Sequence, residues 1–278
     1  MTIALEGVGL THPGGFQALR QLTLQISSGE RVAVIGPSGA GKTTLLQLLG
    51  TGLMPSAGQL HLLGDDPARL QARGLKRLRT RIGLIHQSPP LPPRQRVITA
   101  VLAGRLGSWS LSRALVSLCY PLDIPGARAM LEPLDLDDKL FVRCDQLSGG
   151  QLQRVGIARV LYQRADLLLA DEPVSAMDPV LADHTLALLN RIAADRGVTL
   201  VASLHAVDLA LRHFQRIIGL RDGNVLFDRP SAQVSDDDLS ALYANQSLAE
   251  QGHEVVRPAR PAGLGAGTGI LRTAPRCL

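Results

Sequence analysis

The chain is poor in aromatic residues and poorer in lysine. Aromatics make up 3 % of its 278 residues, so a core must be built from Leu, Val, Ile and Ala. Lysine occurs three times against twenty-six arginines, which makes the position of each lysine informative. No window holds eighteen consecutive apolar residues, and this excludes an ordinary membrane-spanning helix. The start, Met1-Thr2-Ile3-Ala4-Leu5-Glu6, has no basic patch followed by an apolar core, so secretion is not expected. Cys119, Cys144 and Cys277 are odd in number, far apart and without C-x-x-C spacing, which points to reduced thiols and away from disulfides. The net charge is +5, but residues 251–278 carry four arginines against one glutamate and supply +3 of it. The remainder is ordinary for a domain of this size, and no nucleic-acid partner is expected.

One of the three lysines, Lys42, lies in Gly36-Pro37-Ser38-Gly39-Ala40-Gly41-Lys42-Thr43, a match to G-x-x-x-x-G-K-[ST]. Such a match arises by accident in roughly one chain in a hundred of this length. Its surroundings fit as well. Arg31-Val32-Ala33-Val34-Ile35 reads as a buried strand, and Thr43-Thr44-Leu45-Leu46-Gln47-Leu48-Leu49 has helical spacing of apolar residues. Strand, glycine loop and helix together wrap a phosphate with backbone N–H groups and present the positive end of a helix dipole. Lys42 is expected on the β- and γ-phosphates, and the Thr43 hydroxyl on Mg²⁺. A nucleotide is the expected ligand.

Short strands are expected at Ile3-Ala4-Leu5 and Leu22–Ile26, with Gly14-Gly15 and Ser27–Glu30 as turns, and further strands at 58–63 and 82–86. Pro67 to Arg81 is strongly basic and reads as a solvated helix face, with lipid headgroups as the lesser reading. Pro89, Pro90, Pro92 and Pro93 then break the chain, after which Val97 to Leu118 and Gly126 to Leu134 look helical. The strands Leu167–Ala170 and Thr199–Ser203 flank a helix at Pro179–Ala194, and this alternation predicts a mostly parallel, covered sheet. The helical stretch at about 88–160 is then an insertion. Residues 246–278 are rich in Pro, Gly and Ala and are expected to be disordered.

Leu167-Leu168-Leu169-Ala170-Asp171-Glu172 is an apolar strand ending in two carboxylates. Behind a P-loop the first acid is expected to help hold Mg²⁺, and the second could polarise a water for attack on the γ-phosphate. Between the two motifs lies Leu147-Ser148-Gly149-Gly150-Gln151, at the head of a helix. Ser148 can cap that helix, and the glycines leave room for a phosphate at its N-terminus. L-S-G-G-Q in this place resembles the signature of the ABC ATPases. The resemblance covers roughly residues 1–245 and extends to other loops. Gln87 falls where that family has its Q-loop glutamine, which senses Mg²⁺ and the membrane partner; Ser175-Ala176-Met177-Asp178 resembles the D-loop; His205 follows a strand as the switch histidine does.

The resemblance implies an α/β fold, a P-loop NTPase (RecA-like) core of ABC type with an N-terminal antiparallel β subdomain and an inserted helical subdomain. It implies ATP and Mg²⁺ as ligands, with Thr43, Gln87 and Asp171 toward the metal. Lys42, Glu172 and His205 would be catalytic, with Glu172 as general base or water-orienting group. Gly36 to Thr44 would bind one nucleotide, and Ser148, Gly149, Gly150 and Gln151 the γ-phosphate held by a second copy in a head-to-tail homodimer. The family usually stacks adenine on an aromatic residue at a place that here falls on His12, with Phe16 close by; either ring could serve. Transmembrane permease subunits, and indirectly a solute-binding protein, would be the partners, at the cytoplasmic face of the inner membrane. Val101–Gly107, Ser203–Ala210 and Arg216–Gly223 look like the ATP-binding subunits of phosphonate importers, although Ala206 and Leu152 stand where that family commonly has Gln. Relatives serving phosphite, phosphate or other small solutes remain alternatives, as does a soluble ABC ATPase. Trp109, the only tryptophan, either packs within the helical insertion or helps form a groove for the permease.

Overall fold

Each central strand of the molecule divides its side chains between two cores, and this division positions everything else. The computed structural model describes residues 2–244; the expected disordered tail lies outside the described residues. The strands are β1 (Ile3–Thr11), β2 (Gln17–Ile26), β3 (Arg31–Ile35), β4 (Ala57–Leu62), β5 (Ile82–Ile85), β6 (Leu167–Asp171), β7 (Thr199–Ser203), β8 (Arg216–Arg221) and β9 (Asn224–Pro230). The helices are α1 (Lys42–Leu49), α2 (Ala72–Thr80), α3 (Val97–Leu102), α4 (Leu111–Cys119), α5 (Ile124–Leu131), α6 (Gly149–Gln163), α7 (Pro179–Arg196), α8 (Val207–His213) and α9 (Asp236–Tyr243).

A six-stranded sheet runs in the order β5-β6-β7-β3-β8-β9, all parallel except the edge strand β9. Val32 and Val34 of β3, Leu167 and Leu169 of β6, and Val201 of β7 face one core, with α1 and the three-stranded antiparallel sheet β2-β1-β4. Ala33 and Ile35, Leu168 and Ala170, and Leu200 and Ala202 face the other core, with α3, α5, α6, α7 and α8. Burial on both faces is why these strands read as unbroken apolar runs instead of alternating ones. Leu45, Leu46, Leu48 and Leu49 of α1 are all fully buried. At about 1.5–3 kcal/mol each, their burial holds the helix against the sheet and with it the glycine loop at its head.

The expected long helix from Val97 to Leu118 is interrupted. α3 stops at Leu102, a short 3₁₀ turn spans Ala103–Arg105, and α4 restarts after Ser110, whose hydroxyl accepts a bond from the Arg113 N–H. Apolar spacing continues across this gap, but Gly104 packs so tightly on the Arg159 carbonyl of α6 that a Cβ would collide with it. The basic stretch is indeed a helix, α2, whose Arg73, Lys76 and Arg77 are exposed while Leu78 is buried. Arg79 is not a free solvated charge: it donates to the Thr51 hydroxyl and carbonyl, both at 2.9 Å. Cys119 and Cys144 are free thiols; Cys277 lies outside the described residues. Among the described residues no helix is long and apolar enough to cross a membrane.

Candidate nucleotide site

The loops leaving the carboxyl ends of β3, β5, β6 and β7 converge, which is where open α/β sheets bind ligands. The loop after β3 requires glycine at two points. A Cβ on Gly36 would collide with the Leu220 carbonyl of β8, and Gly41 caps α1 with φ near +103°. Lys42, the first residue of α1, is almost fully buried and folds back on its own loop. Its Nζ donates to the carbonyls of Gly36 (2.7 Å) and Pro37 (3.0 Å). Burial lowers its pKa from 10.5, against the opposing charges of Glu172 and Asp171.

Ser38 to Thr44 line a cleft of about 280 Å³ together with Phe16, Ala18, Glu172 and His205. At its floor the Thr43 hydroxyl donates to Asp171 Oδ1 (3.1 Å). The same oxygen accepts a second bond, 2.7 Å, from Ser203 at the end of β7. Both carboxylate oxygens of the neighbouring Glu172 are also engaged. Gln87 Nε2 donates to Oε2 at 2.7 Å, and His205 Nε2 lies 2.5 Å from Oε1. Glu172 keeps this position with a left-handed backbone, φ +46°, its N–H donating to both the hydroxyl (3.0 Å) and the carbonyl (3.2 Å) of Ser203.

Thus Lys42, Thr43, Asp171, Glu172, Gln87 and His205, separated by up to 163 positions in sequence, form one connected cluster. Two expected residues stand differently. Phe16 lines the cleft with its ring 63 % exposed, whereas His12 does not; its ring stacks parallel to that of Phe16, centroids 6.4 Å apart. Gln87 is turned to Glu172, not to the Thr43–Asp171 pair. Ser148, Gly149, Gly150 and Gln151, expected at the phosphate of a second copy, do not line this cleft. They open α6 with a capping box: Ser148 Oγ accepts from the Gln151 N–H (3.3 Å), and Gln151 Oε1 accepts from the Ser148 N–H (3.0 Å). Capping therefore accounts for Gln151 as well as Ser148. Asp178, at the end of the 175–178 turn, caps α7 through the Leu181 N–H.

Sequence reasoning passed over two buried polar residues in this cluster. Ser203 ends the apolar run Thr199–Ser203, and Gln153 heads the buried stripe Gln153, Gly156, Ile157, Val160 at helical spacing. A polar residue at a core-facing position was the available signal.

The donor set at the cleft floor is hard oxygen. Thr43 and Asp171 suit Mg²⁺, which keeps several waters and phosphate oxygens and needs few protein ligands.

Comparison with known proteins agrees with this geometry. Residues 19–175 match the family model described as ABC transporter. The chain is 65 % identical over 260 residues to the Phosphonates import ATP-binding protein PhnC 1 of Pseudomonas aeruginosa PAO1, covering 93 % of this chain and 97 % of that one. It is 64 % identical over 248 residues to PhnC of Pseudomonas fluorescens Pf0-1, covering 89 % and 94 %. Among solved structures, the dimeric bacterial ABC transporter cassette MJ0796 superposes with a TM-score of 0.72 at 29 % identity, over 82 % of this chain and 98 % of that one. The same cassette in a dimeric post-hydrolysis state, bound to ADP and Pi, gives 0.70 at 28 % identity, with the same coverage. A glycine loop on β3, acids on β6, a histidine after β7 and this degree of identity have one common explanation: the chain belongs to the ABC transporter family.

Proposed function

We propose that the chain is the ATP-hydrolysing subunit of an importer for phosphonates, working as a homodimer on separate permease subunits at the cytoplasmic face of the membrane. The observation that carries the reading is the engagement of both Glu172 oxygens, by Gln87 and His205, at a cleft floored by Lys42 and Thr43. The identity to phosphonate-import subunits supports the solute class, and the dimeric MJ0796 cassettes support the assembly. Residues 88–160 act in this reading as a helical insertion facing the permease. Support comes from α4, which leaves Leu111, Leu115 and Leu118 exposed on one face beside the partly buried Trp109.

The chemistry follows from the residues present. ATP phosphates enter the glycine loop and take over the Lys42 ammonium from the Gly36 and Pro37 carbonyls. Phe16, backed by the His12 ring, offers the base a flat apolar surface. Glu172 accepts hydrogen bonds from the attacking water and aims it at the γ-phosphorus. As the new P–O bond forms, the bond to the β-phosphate oxygen breaks, and the water's proton passes to Glu172 or to the departing phosphate. His205 donates to the γ-phosphate, and Lys42 offsets the charge that develops. Thr43 and Asp171 would hold Mg²⁺, which when bound neutralises phosphate charge. Ser148 and Gly150, away from this cleft, would complete the site of the second copy.

The experiment is ATP hydrolysis by the purified chain over a protein concentration series, beside Glu172→Gln. The expected rate rises faster than in proportion to concentration, and the variant binds ATP but loses on the order of 10²–10³ in rate. Strict proportionality would contradict the dimer, and a normal rate in the variant would remove Glu172 from the chemistry. Stimulation by a phosphonate-type permease, and by no phosphate-type one, tests the solute class.

A further inference from the structure

Glu172 holds a left-handed backbone that a residue with a side chain rarely keeps unless its surroundings pin it. Ser203 pins its N–H. Gln153 pins its carbonyl. Gln153 is 1 % exposed, and its Nε2 donates to the Glu172 carbonyl at 2.9 Å and, more weakly, to the Gln87 carbonyl at 3.4 Å. Its Oε1 accepts from the Ala176 N–H at 3.2 Å. One buried amide on α6 thus touches the backbone of the segment carrying Gln87, of Glu172, and of the 175–178 turn. One turn earlier, Gly150 approaches the Ala176 carbonyl so closely that a Cβ would stand 3.0 Å from it.

Packing does not explain this side chain. Gly156, Ile157 and Val160 continue the same face, and burying an amide among them costs about 1–3 kcal/mol where its bonds are imperfect, so the side chain is present for its bonds to the Glu172 carbonyl and the Ala176 N–H. What the amide adds is a fixed relation between α6 and the backbone on which the Glu172 carboxylate is mounted. We propose that Gln153 is a positioning residue for ATP hydrolysis, acting through the Glu172 carbonyl and the Ala176 N–H to aim the Glu172 carboxylate. The proposal rests on the role given to Glu172 above. It also gives Ser148 and Gly150 a route to that carboxylate: they open the helix that carries Gln153, so a shift of α6 on meeting a partner's nucleotide is passed to Glu172.

The experiment compares the purified full-length chain with Gln153→Met, which keeps the volume and loses the hydrogen bonds, and Gln153→Asn, which keeps the amide and loses the reach. kcat, KM, affinity for a non-hydrolysable ATP analogue and thermal midpoint are measured for each. The expected result is a kcat lower by about tenfold or more in either folded variant, with KM and analogue affinity within about twofold of wild type. Any of three results overturns the proposal: kcat within about twofold of wild type in a folded variant, a change in KM with kcat unaltered, or failure of both variants to fold. The last would make Gln153 a structural brace. A wild-type chain that hydrolyses nothing overturns the reading of Glu172 together with this one, whereas an active wild type with unaffected variants removes Gln153 alone.

Discussion

Removing the Ser203 hydroxyl should weaken the molecule by an amount that its surroundings set. Asp171 Oδ1 accepts two hydroxyl bonds, 2.7 Å from Ser203 and 3.1 Å from Thr43. Thr43 is exposed, and water can take its place; Ser203 is fully buried, and water cannot. In Ser203→Ala the Cβ remains, so little cavity forms. The Glu172 N–H also keeps the residue 203 carbonyl at 3.2 Å and is not orphaned. What is lost is the hydrogen bond to a half-buried, charged carboxylate and one of the two bonds from the Glu172 N–H, about 1.5–3 kcal/mol. For a domain of this size that lowers the thermal midpoint by about 3–12 °C. Circular dichroism melts of the nucleotide-free chain at neutral pH measure it. A shift below about 2 °C would refute the argument, because Asp171 would then be satisfied by Thr43 and solvent alone.

Two further outcomes concern titration. Lys42 has its pKa lowered below 10.5, chiefly by burial. Between that lowered value and 10.5 the unfolded chain holds the proton more often than the folded one, so this lysine makes stability rise with pH across the window. The melting midpoint of wild type relative to Lys42→Met should therefore climb as pH approaches 10.5, and a pH-independent difference would contradict it. Tyr162 behaves in the opposite sense. Burial, then its 2.8 Å bond to Asp123 and that group's charge, push its pKa from 10 up to about 12. Between those values the folded chain keeps a proton that the unfolded chain has lost, so stability falls as pH rises. Tyr162→Phe should abolish that alkaline loss and cost about 1 kcal/mol at neutral pH, read from urea midpoints across the same range.

Much of the site was legible in one dimension because phosphate binding is a local problem. The glycines, Lys42 and Thr43 sit in eight consecutive residues, and their conformation follows from steric limits of the backbone itself. The strand at Leu167–Asp171 was legible for a related reason: burial on both faces demands a continuous apolar run, and the acids mark where it meets solvent. The interruption between α3 and α4 was not legible; it falls where Gly104 packs on the Arg159 carbonyl, fifty-five positions away. The aim of Gln87 likewise depends on which side chains the sheet brings together.

The sequence alone determined that the chain carries a phosphate-binding loop, an acidic strand and an apolar alternation fit for a covered sheet, because each is written in short-range spacing. Only the tertiary structure decided that β6 lies against β7, and therefore that Ser203 meets Asp171, and that α6 packs where Gln153 meets Glu172. Strand order is settled by how two apolar faces are covered at once, and no local run of residues contains that information.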